Sequence, residues 1–191
     1  VYLLLIAVLV PLLRLGGVGW FDAVCHAFAT LATGGFSTRT ASVAAFDSVY
    51  VEVVLMAFML LGGLNFALHY RALRGEFSPW WKDSGARFYL GVLAVATLVC
   101  TGVLHGTAGG PDWGAALRQS AFTCVSLATT TGFCTADFDV WPATLKVLLL
   151  LLMLMGGCVG STAGGIKVAR IQMTLQTVVR EIRLFMQPQA A

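Results

Sequence analysis

The sequence predicts an all-α membrane protein that consists of two tandem helix–pore loop–helix repeats. Hydrophobic residues make up 58% of its 191 residues and charged residues only 11%, a composition that few soluble domains could keep in solution. Four runs without charges are candidates for membrane spans, which need about 20 apolar residues. Between them, residues 32–38 and 129–135 carry nearly the same sequence, 97 positions apart. We therefore expect the same structural unit twice.

The four candidate spans divide the chain into two halves. The first occupies residues 1–13, and the others lie between Glu52 and Arg71, between Arg87 and Asp112, and between Lys146 and Lys167. We expect one repeat over residues 1–75, a cytoplasmic connector over residues 76–87 and a second repeat over residues 88–191. The chain opens on an apolar run without Met or a basic segment, which indicates a piece of a longer protein.

Each half contains an uncharged loop segment that is too short to cross a bilayer. A segment that dips into the membrane and returns can expose backbone carbonyls only to protein, water or ions. Glycine at the turn allows these carbonyls to replace the water shell of a cation. The pattern predicts an ion-selective filter with eight ion-binding residues: Thr33, Gly34, Gly35, Phe36, Thr130, Thr131, Gly132 and Phe133. Gly35 and Gly132 could instead be helix C-caps in surface loops, but their matching positions disfavour this alternative.

A short pore helix is expected to precede each filter segment. Asp22 follows Trp20 and Phe21 and suits the first turn of such a helix, and residues 115–130 form the matching segment in the second half. The C-terminal end of a helix carries partial negative charge, which would point towards the filter glycines. This arrangement would favour a cation.

The basic residues predict the orientation in the membrane. Eight lie in the connector and the C-terminal stretch and four on the other side: Arg71, Arg74, Lys82, Arg87, Lys167, Arg170, Arg180 and Arg183 against Arg14, Arg39, Arg118 and Lys146. Because Lys and Arg are enriched in cytoplasmic loops, we expect the connector and the C-terminus on the inner side of the cytoplasmic membrane. Both pore loops would then enter from outside.

Glycines interrupt the last span. Its apolar part, residues 143–155, would be only about 20 Å long as a helix, and five glycines occur in the next ten residues. Irregular backbone at membrane depth is tolerated where it lines a cavity, so we predict a flexible barrier below the filter. The expected gate residues are Gly156, Gly157, Cys158, Gly160, Ser161, Thr162, Gly164, Gly165 and Lys167. Close helix packing through small residues is the alternative, whereas a Walker loop is excluded because Ile166 occupies its Lys position.

The sequence contains no pattern typical of a metal site, an enzyme active site or a nucleic-acid interface. The five cysteines lack metal-binding or disulfide spacing, and we expect them to be small buried side chains. His26, His69 and His105 are dispersed, so we expect no enzyme active site and no cofactor in this chain. The net charge of +3 is not clustered, which argues against nucleic acid as a partner and leaves membrane lipid as the expected surroundings.

One set of motifs extends over nearly the whole chain: residues 20–23, His26, residues 34–38, Asn65 with His69, residues 130–133 and residues 156–168. This set resembles the Trk/Ktr/HKT superfamily of potassium transporters, and most closely the membrane subunit of bacterial Trk potassium-uptake systems. The resemblance implies a potassium-channel-like fold of four repeats around one pore, with one filter glycine per repeat and a glycine-rich gate in the third.

By this resemblance the chain would be repeats two and three, with potassium as the substrate at the filter residues. Repeats one and four would have to be supplied from outside this chain. The resemblance also implies a homodimer and a cytoplasmic ring of nucleotide-binding regulatory subunits. A broken-helix secondary transporter for another cation such as sodium is the alternative function, although its repeats are commonly inverted whereas these run in parallel.

Overall fold

The computed structural model describes residues 1–107 and 109–186. In these ranges the chain forms nine α-helices and two short 3₁₀ turns, Ser42–Phe46 and Phe138–Val140, together with one isolated β-bridge. The helices are α1 (Tyr2–Leu15), α2 (Trp20–Leu31), α3 (Val49–Gly63), α4 (Phe66–Leu73), α5 (Ser78–Lys82), α6 (Ser84–Gly106), α7 (Trp113–Ala128), α8 (Ala143–Leu154) and α9 (Val168–Met186). The all-α prediction is confirmed.

The two halves of the chain have the same arrangement of helices. In the first half, the short helix α2 packs against α1 and α3, and in the second half α7 packs against α6 and α8. Each short helix is followed by an irregular segment that leads back to the next long helix. This confirms the two tandem helix–pore loop–helix repeats.

The halves are joined through α3 and α7, which pack against each other. One hydrophobic cluster extends through both halves, and its members include Leu9, Leu31, Leu55, Phe122 and Leu145. A pair of charges lies at the same junction, where Arg118 Nε is 3.6 Å from Glu52 Oε2. The two pore loops are therefore held next to each other by a shared core.

Within the described residues, only one of the four predicted spans is a single helix that is long and apolar enough to cross a membrane. This helix is α6, whose 23 residues extend about 35 Å. The predicted span between Glu52 and Arg71 is bent by 103° between α3 and α4, and the sequence did not predict this bend. The shorter α1 and α8 are also apolar.

The interruption of the last span is present. α8 ends at Leu154, and α9 begins only at Val168 after the glycine-rich segment. α9 differs from the other long helices because it is amphipathic and most of its side chains are exposed. The predicted connector, residues 76–87, contains α5 and the start of α6.

Candidate functional site

The two predicted filter segments, residues 33–36 and 130–133, share an unusual backbone conformation. Thr33 and Gly35 have φ of 51° and 67°, and Thr130 and Gly132, 97 positions later, have φ of 58° and 84°. Glycine enters this left-handed region freely, whereas a β-branched threonine does so only when its surroundings enforce it. Strained residues of this kind cluster at functional sites. The match between the halves therefore goes beyond sequence and includes the path of the backbone.

The filter segments of the two halves touch at Gly35. A Cβ atom added to Gly35 would lie 1.8 Å from the carbonyl oxygen of Thr131, so no other residue fits this position without a shift of the backbone. Gly132 differs, because a Cβ atom there would meet nothing within 4 Å. One filter glycine is thus enclosed by the neighbouring loop, and the other faces open space.

The filter phenylalanines show the reverse asymmetry, because here the residue of the second half is the enclosed one. Phe133 is 2% exposed, and its ring stacks on the ring of His26 from the first half with centroids 5.6 Å apart. Phe36 is 82% exposed. The first half therefore covers Phe133 of the second half, whereas Phe36 in its own filter segment is uncovered.

His26 supports the first filter segment from within α2. Its Nδ1 lies 2.7 Å from the carbonyl oxygen of Asp22, and its Nε2 lies 2.9 Å from Ser37 Oγ. Since a carbonyl oxygen can only accept, Nδ1 carries the hydrogen and the Ser37 hydroxyl donates to Nε2. The imidazole thus links the pore helix to the chain that leaves the filter.

Asp22 forms the second link between α2 and this returning chain. Its carboxylate accepts hydrogen bonds from Thr38 Oγ1 at 2.6 Å and from Arg39 Nη2 at 2.7 Å. The hydrogen bond from Thr38 and then that from Arg39 hold the pKa of Asp22 below its usual value. The equivalent position in the second half is Gln119, and there Thr135 Oγ1 is buried without a hydrogen-bond partner in the described residues.

The glycine-rich segment between α8 and α9 folds into a closed loop. The amide of Gly156 donates to the carbonyl of Ile166 at 2.9 Å, and the amide of Ile166 donates to the carbonyl of Leu154 at 3.0 Å. The close approach requires glycine, because a Cβ atom on Gly156 would lie 1.7 Å from the carbonyl oxygen of Gly164. We call residues 156–165 the gate loop.

The gate loop satisfies backbone groups that the break between α3 and α4 would leave free. The last carbonyls of a helix have no partner within it. Gly63 O accepts from the amide of Cys158 at 2.9 Å, and Gly62 O accepts from the amide and the hydroxyl of Thr162 at 3.2 and 3.1 Å. In the other direction, the amide of Phe66 donates to Gly160 O at 3.0 Å. The two interruptions are thus complementary.

The gate loop also contacts both filter segments. Thr33 Oγ1 donates to the carbonyl of Thr162 at 3.0 Å, and Thr130 Oγ1 accepts from the amide of Gly164 at 2.7 Å. The ammonium group of Lys167 donates to the carbonyl of Ala163 and lies 3.4 Å from Ser161 Oγ. The structure therefore brings the predicted gate residues directly against the predicted filter residues, with a positive charge beside the loop.

The sequence predicted no gate or filter role for the residues on the α3–α4 side of this site, although Asn65 and His69 belong to the motif set that carries the family resemblance. Gly62 and Gly63 end α3, Asn65 Oδ1 accepts from the amide of Ala67 to begin α4, and His69 Nε2 donates to the carbonyl of Leu61 at 2.8 Å. A glycine pair followed by an N-capping asparagine is a signal for a helix break, and it could have been recognised.

The cysteines follow the expectation in part. Cys100, Cys124 and Cys158 are buried, whereas Cys25 and Cys134 are half-buried. In the described residues, no group of three or more His, Cys, Asp or Glu side chains could hold a metal ion.

Comparisons with known proteins agree with this architecture. The sequence profile of the TrkH family, described as cation transport proteins, matches residues 12–190. The Trk system potassium uptake protein TrkH of Halomonas elongata is 41% identical over 175 residues, which cover 91% of this chain and 36% of that protein. TrkH of Escherichia coli K12 is 38% identical over 193 residues, which cover 100% of this chain and 40% of that protein.

A solved structure gives the same result. The crystal structure of the potassium transporter TrkH from Vibrio parahaemolyticus superposes with a TM-score of 0.94 at 37% sequence identity, and the match covers 99% of this chain and 41% of that protein. The chain spans about two-fifths of the length of these relatives. It belongs to the TrkH family of cation transport proteins.

Proposed function

We propose that this chain forms half of a potassium pore, in which the filter residues Thr33 to Phe36 and Thr130 to Phe133 bind the permeating ion. The observation that carries the proposal is the contact of two pore loops with matching left-handed residues, where Gly35 lies against the carbonyl of Thr131. The negative ends of α2 and α7 precede these segments and favour a cation. The relatives are named as potassium uptake proteins, which supports potassium as the substrate.

The gate loop is proposed to be the barrier to ion flow in this pore. It lies against Thr33 and Thr130, where an ion that leaves the filter would arrive. Its glycines permit close backbone contacts, and the ammonium group of Lys167 adds a like charge in the path of a cation. Transport would therefore require the loop to move or to rearrange.

The surroundings of the pore are proposed from the charge pattern and from the family. The larger number of Lys and Arg in the connector and C-terminal stretch supports a cytoplasmic position for both, with the pore loops entering from outside the inner membrane. Repeats one and four would complete the filter. The name Trk system of the relatives supports a multi-component assembly, for which we propose a homodimer with a cytoplasmic nucleotide-binding regulatory subunit.

A substitution at the enclosed glycine tests the filter. In the complete protein that contains this chain, Gly35→Ser would place a side chain where the Thr131 carbonyl now lies, so the potassium-to-sodium uptake ratio in proteoliposomes should fall at least several-fold. Gly17→Ser is the matched control, because Gly17 has a similar φ of 84° but no atom within 4 Å of an added Cβ. An unchanged ratio for Gly35→Ser and for Gly132→Ser would contradict the filter assignment.

A further inference from the structure

We propose that Thr33 and Thr130 are positioning residues that couple the gate loop to the filter, so that the closed loop and the filter conformation stabilise each other. This inference rests on the proposed function and concerns the regulation of the same site. It follows from the position of these two side chains, which are the only threonines with positive φ in the described residues.

The two threonines hold the gate loop from opposite halves of the chain. The hydroxyl of Thr33 lies 2.7 Å from the carbonyl of Ala32 and 3.0 Å from that of Thr162, and its single hydrogen is shared between them. The hydroxyl of Thr130 accepts from the amide of Gly164. The bonds lie on either side of Ala163, which is 3% exposed. The middle of the loop is thus fixed by one bond from each repeat.

Each bond also acts on the filter. Thr33 and Thr130 lie two residues before the filter glycines Gly35 and Gly132 and adopt the left-handed conformation that β-branched residues avoid. Such a conformation persists only where the surrounding contacts enforce it, and the bonds to the gate loop are among these contacts. When the loop leaves, both threonines lose a partner, and the backbone before each filter glycine is released. Because coupling between two sites is reciprocal, a well-ordered filter must in turn stabilise the closed loop.

Valine substitutions remove the hydroxyl but keep the branched shape. In the complete protein, Thr33→Val and Thr130→Val should increase the rate of amide hydrogen exchange in peptides that cover residues 156–165 by about 3- to 10-fold, which corresponds to the loss of one hydrogen bond. The double variant should also pass potassium faster into proteoliposomes without a regulatory subunit. Thr33→Ser and Thr130→Ser retain the hydroxyl, so residues 156–165 should exchange at the wild-type rate in these variants.

The control is Thr101→Val, because the buried Thr101 hydroxyl donates to Thr97 O within α6, remote from the gate loop. Unchanged amide exchange of the gate loop in both valine variants would overturn the proposal. Serine variants whose gate loop exchanges as fast as in the valine variants would also overturn it, since packing alone would then explain the effect. The exchange measurement does not depend on transport. A wild-type protein without potassium flux would overturn the proposed function, and the exchange rates would still decide the coupling.

Discussion

Three successive side chains fix the chain that leaves the first filter segment. Ser37 bonds to His26, and Thr38 and Arg39 bond to Asp22, so all three are attached to the pore helix α2. The sequence predicted Asp22 as an acidic residue in the first turn of this helix, which the structure bears out. Its bonds to Thr38 and Arg39 could not be predicted, because they depend on how the loop returns along the helix.

Removal of the Asp22 charge should destabilise the protein in a pH-dependent manner. The pKa of Asp22 is lowered in the folded state, so its ionisation stabilises the fold above the unfolded pKa of about 3.9, and this stability is lost as the pH falls through the lower folded pKa. Asp22→Asn should therefore lower the melting temperature of the complete protein at pH 7. The difference from the wild type should shrink below about pH 4.

The exposed Asp139 provides the comparison. Asp139→Asn should leave the melting temperature nearly unchanged both at pH 7 and at pH 3. The reason is that no salt bridge involves its side chain in the described residues. A difference between Asp22→Asn and the wild type that persists undiminished at pH 3 would show that packing rather than charge explains the effect.

At the level of elements, two broken helices support each other. The sequence predicted the break after α8, because five glycines in ten residues cannot maintain a helix. It did not predict the bend between α3 and α4, although Gly62 and Gly63 before Asn65 are a local signal for a helix break. The amides of Cys158 and Thr162 donate to the free carbonyls of α3 and help to stabilise this bend, and no local pattern reveals such distant partners.

Gly160 tests this complementarity. Its φ is 76°, and an added Cβ atom would lie 2.7 Å from Asn65 Oδ1, the atom that caps α4. Gly160→Ala should therefore cost about 1 kcal/mol for the left-handed backbone and a further 1–3 kcal/mol for the steric conflict. Thermal unfolding of the complete protein measures the sum as a lower melting temperature.

Gly75→Ala separates the two contributions. Gly75 has a φ of 85° but no atom within 4 Å of an added Cβ, so this variant should show only the backbone cost. Equal losses of stability in Gly75→Ala and Gly160→Ala would mean that the contact between Asn65 and the gate loop is unimportant.

At the scale of the whole molecule, each repeat covers only part of the other repeat's filter segment. The first repeat covers Phe133, and the Thr131 carbonyl covers Gly35, but Phe36 and Gly132 have no such neighbour in the described residues. The duplicated sequence predicted the two repeats. Membership of a family of cation transport proteins confirms the separate expectation that the chain is not an enzyme. Which filter residue contacts which repeat could not be predicted, because it depends on packing between segments about 100 residues apart.

The exposure of Phe36 predicts its environment in the complete protein. If each repeat covers the filter phenylalanine of the next repeat, as the first covers Phe133, then a segment outside this chain must cover Phe36, which is 82% exposed here. Phe36→Ala should then destabilise the complete protein by about 3–5 kcal/mol, as expected for a buried phenylalanine and as expected for Phe133→Ala. Val140→Ala is the control, because Val140 is 78% exposed and should change stability by less than about 0.5 kcal/mol. Melting temperatures of the three variants measure these differences. If Phe36→Ala changes stability as little as Val140→Ala, no segment covers this phenylalanine. The filter then does not close in the way that the contact between His26 and Phe133 indicates.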